Sequence, residues 1–565
     1  MKQAIEQAVV AAVQHLYSLD VSVSLTRPDE QFGDYATNVA LQLSKQVGEN
    51  PREIAEALRT ELLVSLEETV SDISVAGPGF MNLRLAEPVL HNAITDITSA
   101  GSNYGKPTIY QGKKILVEYS DPNPLKPLHA GHLYTTLVGD SISRLLEVSG
   151  ADVVRLNYGG DVGRHIGISL WAIIREIGGE LPEKLDAIAV NDRPTWLGAR
   201  YVEGTAAFED DEQAKQETTV TNKRVYQIYT DNDHESPFAQ IYWTVRQWSY
   251  DYFKLLYEQL QVKPFDRFLP ESEVFQLGLD TVKEQLAKGV YTESQGAVVF
   301  EGEQYGLHTR VFINSAGMPT YETKDVGLIQ RKWEDYHYDE SIVITANEQV
   351  QYYEVMLKSV EQFAPELVRR SKHHTHGVVT LQGGVKMSSR KGNIVSALEI
   401  IAAARQAGAE SGRNPSEDTT LAAIKYAFAK NRIGGDIAYD PKESIALEGN
   451  SGPYLQYASV RAKHILDKST GVTKVESWKL NDSERSLIRK MTEWPEVLEQ
   501  AATELMPHII CTYLYELAQT FNRFYEQNQV IGNELEANRS SLVAAYYTVL
   551  TSGLELLGIV SPDDM

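Results

Sequence analysis

Apolar positions recur with two different periods along this chain, and the change of period divides it. Ile5, Val9, Ala12 and Val13 fall at helical spacing, and a second apolar pattern runs from Ala36 through Leu43 into the stretch at 51–64. Pro51 fits the first turn of that later helix, where an amide donor has no partner to lose. Residues 72–86 then alternate apolar and polar around Gly77-Pro78-Gly79, which predicts two strands and a turn. Together these elements form a small α+β unit, assigned to 1–105. From Lys114 the pattern changes: 115–120 reads as a short buried strand, 121–127 as a Pro-rich loop, 129–146 as a helix and 153–159 as another strand. A strand, helix and strand in that order make a βαβ crossover, so a parallel sheet is the expected architecture. Strand signals return at 308–315, 341–346 and 376–381. Between them, 165–310 mixes helical stretches with the charged run 208–217, read as a solvated face or loop. That segment is taken as an insertion and connecting layer inside one α/β domain spanning 106–416. Beyond about 417 strand signals nearly vanish, and four long amphipathic patterns predict an all-helical bundle over 417–565.

Composition narrows the function classes. The 565 residues are 42% hydrophobic and 23% charged, with 39 Gly and 21 Pro spread along the length, as in a globular protein with sizeable cores. Lys and Arg number 53 against 77 Asp and Glu, a formal net charge of -24. A globally basic nucleic-acid coat is excluded, while a local basic face for RNA is not. Cys511 is the sole cysteine, so intrachain disulfides and cysteine-cluster zinc or iron–sulfur sites are ruled out and no zinc is expected. Charges and glutamines interrupt the apolar positions of the N-terminus, and no apolar run reaches the roughly 18 residues of a membrane span. A cytoplasmic protein without membrane contact is the expectation.

The chemistry concentrates in two places. The segment 118–140 sets Asn123, Lys126, His129, Gly131 and His132 between a buried strand and a helix, at the strand end where ligands of α/β sheets bind. Free amides at a helix start favour phosphate, and His129 and His132, three apart, can address one ligand. Gly131 allows close approach to the backbone, and Lys126 adds a positive charge suited to a phosphate in displacement. Further on, 383–395 combines Gly383, Gly384 and Gly392 with Lys386, Arg390 and Lys391, a cationic turn able to neutralise pyrophosphate. An ordinary helix start with surface histidines and a solvated charge run remain the plain alternatives.

The order strand, Pro-Asn loop, Lys-Pro, HAGH resembles the nucleotide signature of class I aminoacyl-tRNA synthetases, most closely the arginyl-tRNA synthetases, and KMSSR resembles the second class I signature. Ser389 stands where many class I enzymes have a further lysine, for which Lys126 is the arginyl family's substitute. The resemblance implies a Rossmann-like class I catalytic core in which Lys126, His129, His132 and Lys386 act in catalysis. ATP contacts would extend over Lys126, His129, Gly131, His132, Lys386, Met387, Ser388, Ser389 and Arg390. Glu118 and Asn123 occupy the positions that hold the amino acid's α-amino and backbone end.

Residues 318–327 resemble the family's PTYATRD segment, which assigns Tyr321 and Asp325 to the arginine side chain, and Gln349 matches a glutamine in the next family segment. A permanently charged planar guanidinium is best selected by a carboxylate at its donor fork. The segments 449–465, 539–559, 31–40 and 75–85 resemble the family's anticodon-binding and N-terminal domains. They imply tRNA contacts at the elbow and the anticodon, with Tyr35, Asn38, Tyr457 and Arg461 as candidates. The expected substrates are ATP with Mg²⁺, L-arginine and arginine tRNA, with no protein-bound metal, no DNA partner and a monomeric enzyme. Asp121, Tyr134, Val162 and Tyr352 depart from the family's usual residues. Two other readings stay open: a related enzyme for another amino acid, and a noncatalytic RNA-binding translation factor.

Overall fold

The computed structural model describes residues 1–382, 395–412, 415–469 and 477–565. The N-terminal unit comprises α1 (Lys2–Tyr17), β1 (Tyr35–Thr37), α2 (Val39–Val47), α3 (Pro51–Ser65), β2 (Val70–Ala76), β3 (Phe80–Leu85) and α4 (Glu87–Ala100). Its three strands form an antiparallel sheet in the order β1-β3-β2, with the turn at 77–79 joining β2 to β3. Pro51 opens α3 behind an Asn50 cap, as the sequence predicts.

The catalytic-size core begins with β4 (Lys114–Glu118), α5 (Ala130–Val148) and β5 (Asp152–Asn157). Four helices follow, α6 (Arg164–Glu176), α7 (Arg193–Asp210), α8 (Glu212–Thr230) and α9 (Pro237–Gln259), before the chain returns to the sheet at β6 (Arg267–Phe268). The charged run at 208–217 straddles the junction of α7 and α8, where Asp211 caps the second helix. Next come α10 (Phe275–Ala287), the small strands β7 (Thr292–Ser294), β8 (Ala297–Phe300) and β9 (Arg310–Ile313), then α11 (Tyr321–Tyr336) and β10 (Glu340–Ala346). The core continues with α12 (Val350–Glu361), α13 (Pro365–Arg369), β11 (Ser371–His376), β12 (Val379–Leu381) and α14 (Ala397–Glu410).

Five strands pair in the order β11-β10-β4-β5-β6, all parallel. Strand order reverses between β4 and β10, so the crevice at their carboxyl ends is the place where such sheets bind ligands. Both faces of β4 are covered, Ile115 and Val117 by one cluster and Leu116 by another, which explains its continuous apolar run. The sequence reads 376–381 as one strand, and the structure divides it. Gly377 breaks the run because the Gly435-Asp436 backbone passes so close that a Cβ there would lie 2.5 Å from the Asp436 amide nitrogen. Beyond the break, β12 pairs with a strand from the helical region instead of the main sheet.

That region holds α15 (Glu417–Ala429), β13 (Ile437–Tyr439), α16 (Pro441–Ser444), α17 (Gly452–Lys468), α18 (Asp482–Met491), α19 (Trp494–Glu504), α20 (Pro507–Gln527) and α21 (Glu536–Leu556). One apolar cluster unites it with the N-terminal unit, running from Ile5 and Leu90 to Leu514 and Leu550. Buried charges cross the same boundary: Asp34 pairs with Arg485, and Arg27 reaches Glu496 at 2.7 Å. The end of α21 also seats on α5. Arg144 donates to the Glu555 carbonyl at 3.4 Å while pairing with Asp140 at 2.8 Å, and buried Lys425 donates to the Gly558 carbonyl.

Helices α10 and α11 touch through glycines. A Cβ at Gly278 would lie 2.0 Å from the Thr323 carbonyl oxygen, and one at Gly327 would lie 2.2 Å from that of Val274. Gly327→Ala therefore forces the two backbones apart, and equilibrium urea unfolding of the variant should show a loss of about 1–3 kcal/mol.

Candidate active site

A cavity of about 510 Å³ opens at the carboxyl ends of the central strands. Its walls include Glu118 at the end of β4, Val343 to Ala346 of β10, His376 of β11, and the turn after β5. Lys126, His129, Gly131, His132, Asn123, Tyr321, Asp325 and Gln349, named from sequence, all line this one cavity. Residues 386–390, the other half of the expected nucleotide site, lie outside the described residues.

The loop from β4 to α5 carries the first set, in a conformation that L-residues resist. Ser120, Asp121 and Leu125 take left-handed backbone angles, with φ of 74°, 48° and 63°. Each such residue costs roughly 1–3 kcal/mol and persists only where its surroundings fix it. Here they do. Asp121 Oδ1 accepts from the Tyr158 amide at 2.7 Å, Asn123 Oδ1 accepts from the Gly160 amide at 2.9 Å, and the Leu125 amide donates to Ser249 Oγ at 3.0 Å. Ser120 Oγ lies 2.8 Å from the Tyr257 hydroxyl and accepts from Thr136 at 2.7 Å.

At the start of α5 the two histidines cap each other. The His132 amide donates to His129 Nδ1 at 3.4 Å and the His129 amide donates to His132 Nδ1 at 3.3 Å, with the rings stacked 3.7 Å apart. Both Nδ1 atoms thus act as acceptors, which puts the ring proton of each neutral imidazole on Nε2. Burial, then Lys126, pushes His129 down to about 4, and burial, then His129, holds His132 well below its ordinary range. The result is two neutral N–H donors beside the positive end of a 19-residue helix, an arrangement suited to phosphate oxygens. Gly131 matters to the stack itself, since a Cβ there would come within 3.0 Å of the His129 ring. Lys126 Nζ lies 4.9 Å above the Tyr201 ring of α7.

The inner end is rich in carboxyl groups. Glu118 pairs with Lys332 at 2.9 Å, Glu271 pairs with Lys324, and Asp325 and Asp121 stand beside them without a lysine of their own among the described residues. Burial pushes Asp325 up to about 7; a hydrogen bond from the Tyr352 hydroxyl opposes the rise, and Glu118 and Glu271 add to it. Asp121 is raised by burial and by Glu118, and Glu271 by burial against the pull of Lys324. Glu118, Asp121, Glu271 and Asp325 thus share two buried ammonium groups, Lys332 and Lys324, so this end of the cavity is acidic. Such a site can take a ligand carrying two cations. Tyr321, 55% exposed, stands at the mouth with Lys324 Nζ 4.4 Å above its ring. Glu271 is set by its neighbour Ser272, which bonds buried Asp161 through its amide at 2.9 Å and its hydroxyl at 2.7 Å.

Glu271, Lys324, Lys332 and Tyr158 are site residues that sequence reasoning did not single out. Glu271 and Glu273 sit in a short acidic run that looks like solvated surface, and Lys324 and Lys332 fall among other charges on α11. Their meaning comes from burial, which periodicity does not report for isolated charges.

The expected RNA contacts separate into two groups. Tyr35 is 1% exposed, and its hydroxyl accepts from Arg27 at 2.6 Å within the contact between N-terminal unit and helical bundle. It is therefore a packing residue; the exposed aromatics of that unit are Phe32 and Phe80, at 52% and 44%. Asn38 is exposed, with Oδ1 accepting from Gln42 at 2.8 Å. On α17, the Arg461 guanidinium lies 5.2 Å from the Tyr457 ring and 5.1 Å from that of Tyr525, a half-open patch joining cation and aromatics.

Comparison with known proteins agrees with this geometry. Residues 93–433, more than half of the chain, match the family described as tRNA synthetases class I (R), catalytic domain. Residues 1–85 match the arginyl tRNA synthetase N terminal domain, and 455–565 match the DALR anticodon binding domain. An arginine–tRNA ligase of Cutibacterium acnes is 30% identical over 562 residues, covering 96% of each chain. That of Parabacteroides distasonis is 27% identical over 599 residues, covering 100% of each. In fold, the arginyl-tRNA synthetase of Thermus thermophilus superposes with a TM-score of 0.79 at 24% identity, covering 100% of both chains.

The buried Glu118–Lys332 pair separates stability from binding. Glu118→Gln leaves the lysine charge uncompensated and should cost about 3–5 kcal/mol in urea titrations. The double variant Glu118→Gln, Lys332→Met should recover most of that loss.

Proposed function

The chain belongs to the class I arginyl-tRNA synthetases, and from that premise we propose that it joins L-arginine to arginine tRNA through arginyl-adenylate, with the cavity at the β4–β10 crevice as the site of activation. The observation that carries this reading is the meeting, in one cavity, of a helix start bearing two neutral imidazole donors with a buried cluster of four carboxyl groups. ATP supplies the anion for one end. Arginine, with its guanidinium and its α-ammonium, supplies the two cations for the other.

In the first step an oxygen of the arginine carboxylate attacks the α-phosphorus, and the bond to pyrophosphate breaks. In the second, the terminal ribose hydroxyl of the tRNA attacks the carbonyl of the adenylate and AMP leaves. Both nucleophiles arrive with substrates, so the protein's work is alignment and charge stabilisation. We assign the Nε2–H groups of His129 and His132, with the amides at the start of α5, to the phosphates, and Lys126 to the α-phosphate as charge develops there. Glu118 and Asn123 are assigned to the amino-acid backbone end, and Asp325 with Tyr321 and Gln349 to the guanidinium. For 386–390 the assignment to pyrophosphate rests on sequence resemblance alone.

Mg²⁺ enters this scheme as the companion of ATP. Among the described residues no group of three His, Cys, Asp or Glu side chains is arranged to hold a metal ion, so no step is assigned to a protein-bound metal. Among those residues, too, no helix is long and apolar enough to cross a membrane. The proposal takes the enzyme as a monomer working in the cytoplasm. Pyrophosphate exchange should need arginine tRNA, as the family resemblance implies.

Two variants test the assignments. Asp325→Asn keeps the shape but removes the charge facing a buried guanidinium. The value of kcat/KM for arginine should fall at least about 100-fold while KM for ATP stays near that of the parent. Arg461→Ala should raise KM for tRNA and leave KM for arginine unchanged in aminoacylation assays.

A further inference from the structure

Burial pushes Asp325 up to about 7, so its charge near neutral pH depends on the groups around it. The groups facing it come from every element around it. Glu118 ends β4, Asp121 lies in the loop that follows, Tyr158 follows β5, and Glu271 precedes α10. Lys324 and Lys332 share α11 with it, and Tyr352 and Tyr353 stand on α12. Of the carboxyl groups, Glu118 and Glu271 oppose its ionisation, and their own lysines are committed to them. The direct hydrogen bond to its carboxylate comes from the Tyr352 hydroxyl, which donates to Oδ2; Oδ1 has no hydrogen bond among the described residues.

We propose that Tyr352 is a positioning residue for arginine selection: its hydroxyl occupies Asp325 Oδ2, fixes the carboxylate plane and leaves Oδ1 to receive the guanidinium. The proposal rests on Asp325 being the guanidinium anchor. It assigns a role to a position where the family resemblance leads one to expect histidine. A phenol suits the role better in this setting. Its proton stays on the oxygen, because burial and the Asp325 charge both hold Tyr352 well above its ordinary range. Tyr352 is thus a donor of fixed sense across the whole working range, whereas an imidazole would gain or lose charge within it.

The sign of the effect follows. A carboxyl raised to about 7 binds a cation in its ionised form, so arginine capture falls as pH drops through that value. Removing the donor raises the carboxyl further and moves the fall to higher pH. A hydrogen bond to a charged group corresponds to a shift of roughly one to two pH units.

The test is kcat/KM for arginine in aminoacylation, followed from about pH 5.5 to 9, which reports groups of the free enzyme. Tyr352→Phe should move the midpoint up by about one to two units, raise KM for arginine roughly tenfold at neutral pH, and leave kcat at saturating arginine and KM for ATP near parental values. A merely structural role would lower kcat or stability without moving the midpoint. Ring-fluorinated tyrosine at 352, a stronger donor of the same size, should move the midpoint down, and it keeps the question answerable if the phenylalanine variant does not fold. An unmoved midpoint in a folded variant, or a fluorinated form that shifts it upward, overturns the proposal. If instead Asp325→Asn leaves kcat/KM for arginine unchanged, the anchor assignment itself fails, a result independent of the Tyr352 profiles.

Discussion

The interaction on which the rest of this structure depends is the mutual repulsion of four carboxyl groups drawn together at the end of a parallel sheet. Glu118 and Glu271 pair with Lys332 and Lys324, Asp121 and Asp325 stand beside them, and burial denies the group the screening of water. Such a cluster tends to hold protons in place of missing cations, as the raised positions of Asp325, Asp121 and Glu271 indicate. Under the proposed function, the two cations of arginine would take the place of those protons. On that proposal, a neutral side chain of similar length would leave the acidic cluster without a cationic partner, and selectivity for arginine would follow.

Holding like charges together requires stiffness. The left-handed residues 120, 121 and 125 are pinned by bonds to the turn after β5 and to α9, and buried Asp161 gathers Arg246, Tyr229 and Ser272 around it. At the other end of the cavity the same economy of parts appears in α5. His129 and His132 cap the helix with one ring nitrogen each, and that bond leaves the other nitrogen protonated for a ligand.

Much of this was legible in the sequence, for reasons that differ by element. The βαβ unit at 115–159 and the helix at 129–146 have strong periodicity, and the HAGH and PTYETKD segments resemble a known family closely enough to nominate cavity residues before any coordinates. What periodicity cannot show is which isolated charges become buried. Glu271, Lys324 and Lys332 look like surface residues in one dimension and are 3%, 3% and 2% exposed in three. Tyr35 failed in the opposite sense. Resemblance of 31–40 to the family's N-terminal domain suggested an RNA contact, but the residue packs between the first and last domains, a long-range contact with no local signature. The single strand expected over 376–381 divides at Gly377 for the same reason, because the neighbouring Asp436 backbone is distant in sequence.

The seating of α21 on α5 carries a mechanical consequence. A helix of 19 residues is a stiff rod of about 28 Å. Here one tip presents the imidazole pair, while Arg144, farther along the rod and held by Asp140, donates to the Glu555 carbonyl at the end of the bundle's final helix. Rocking of the bundle against the core at this point would break that contact or move α5 with it. The histidine pair and the bundle's last helix thus share one lever arm, and a displacement at one end of it is carried to the other.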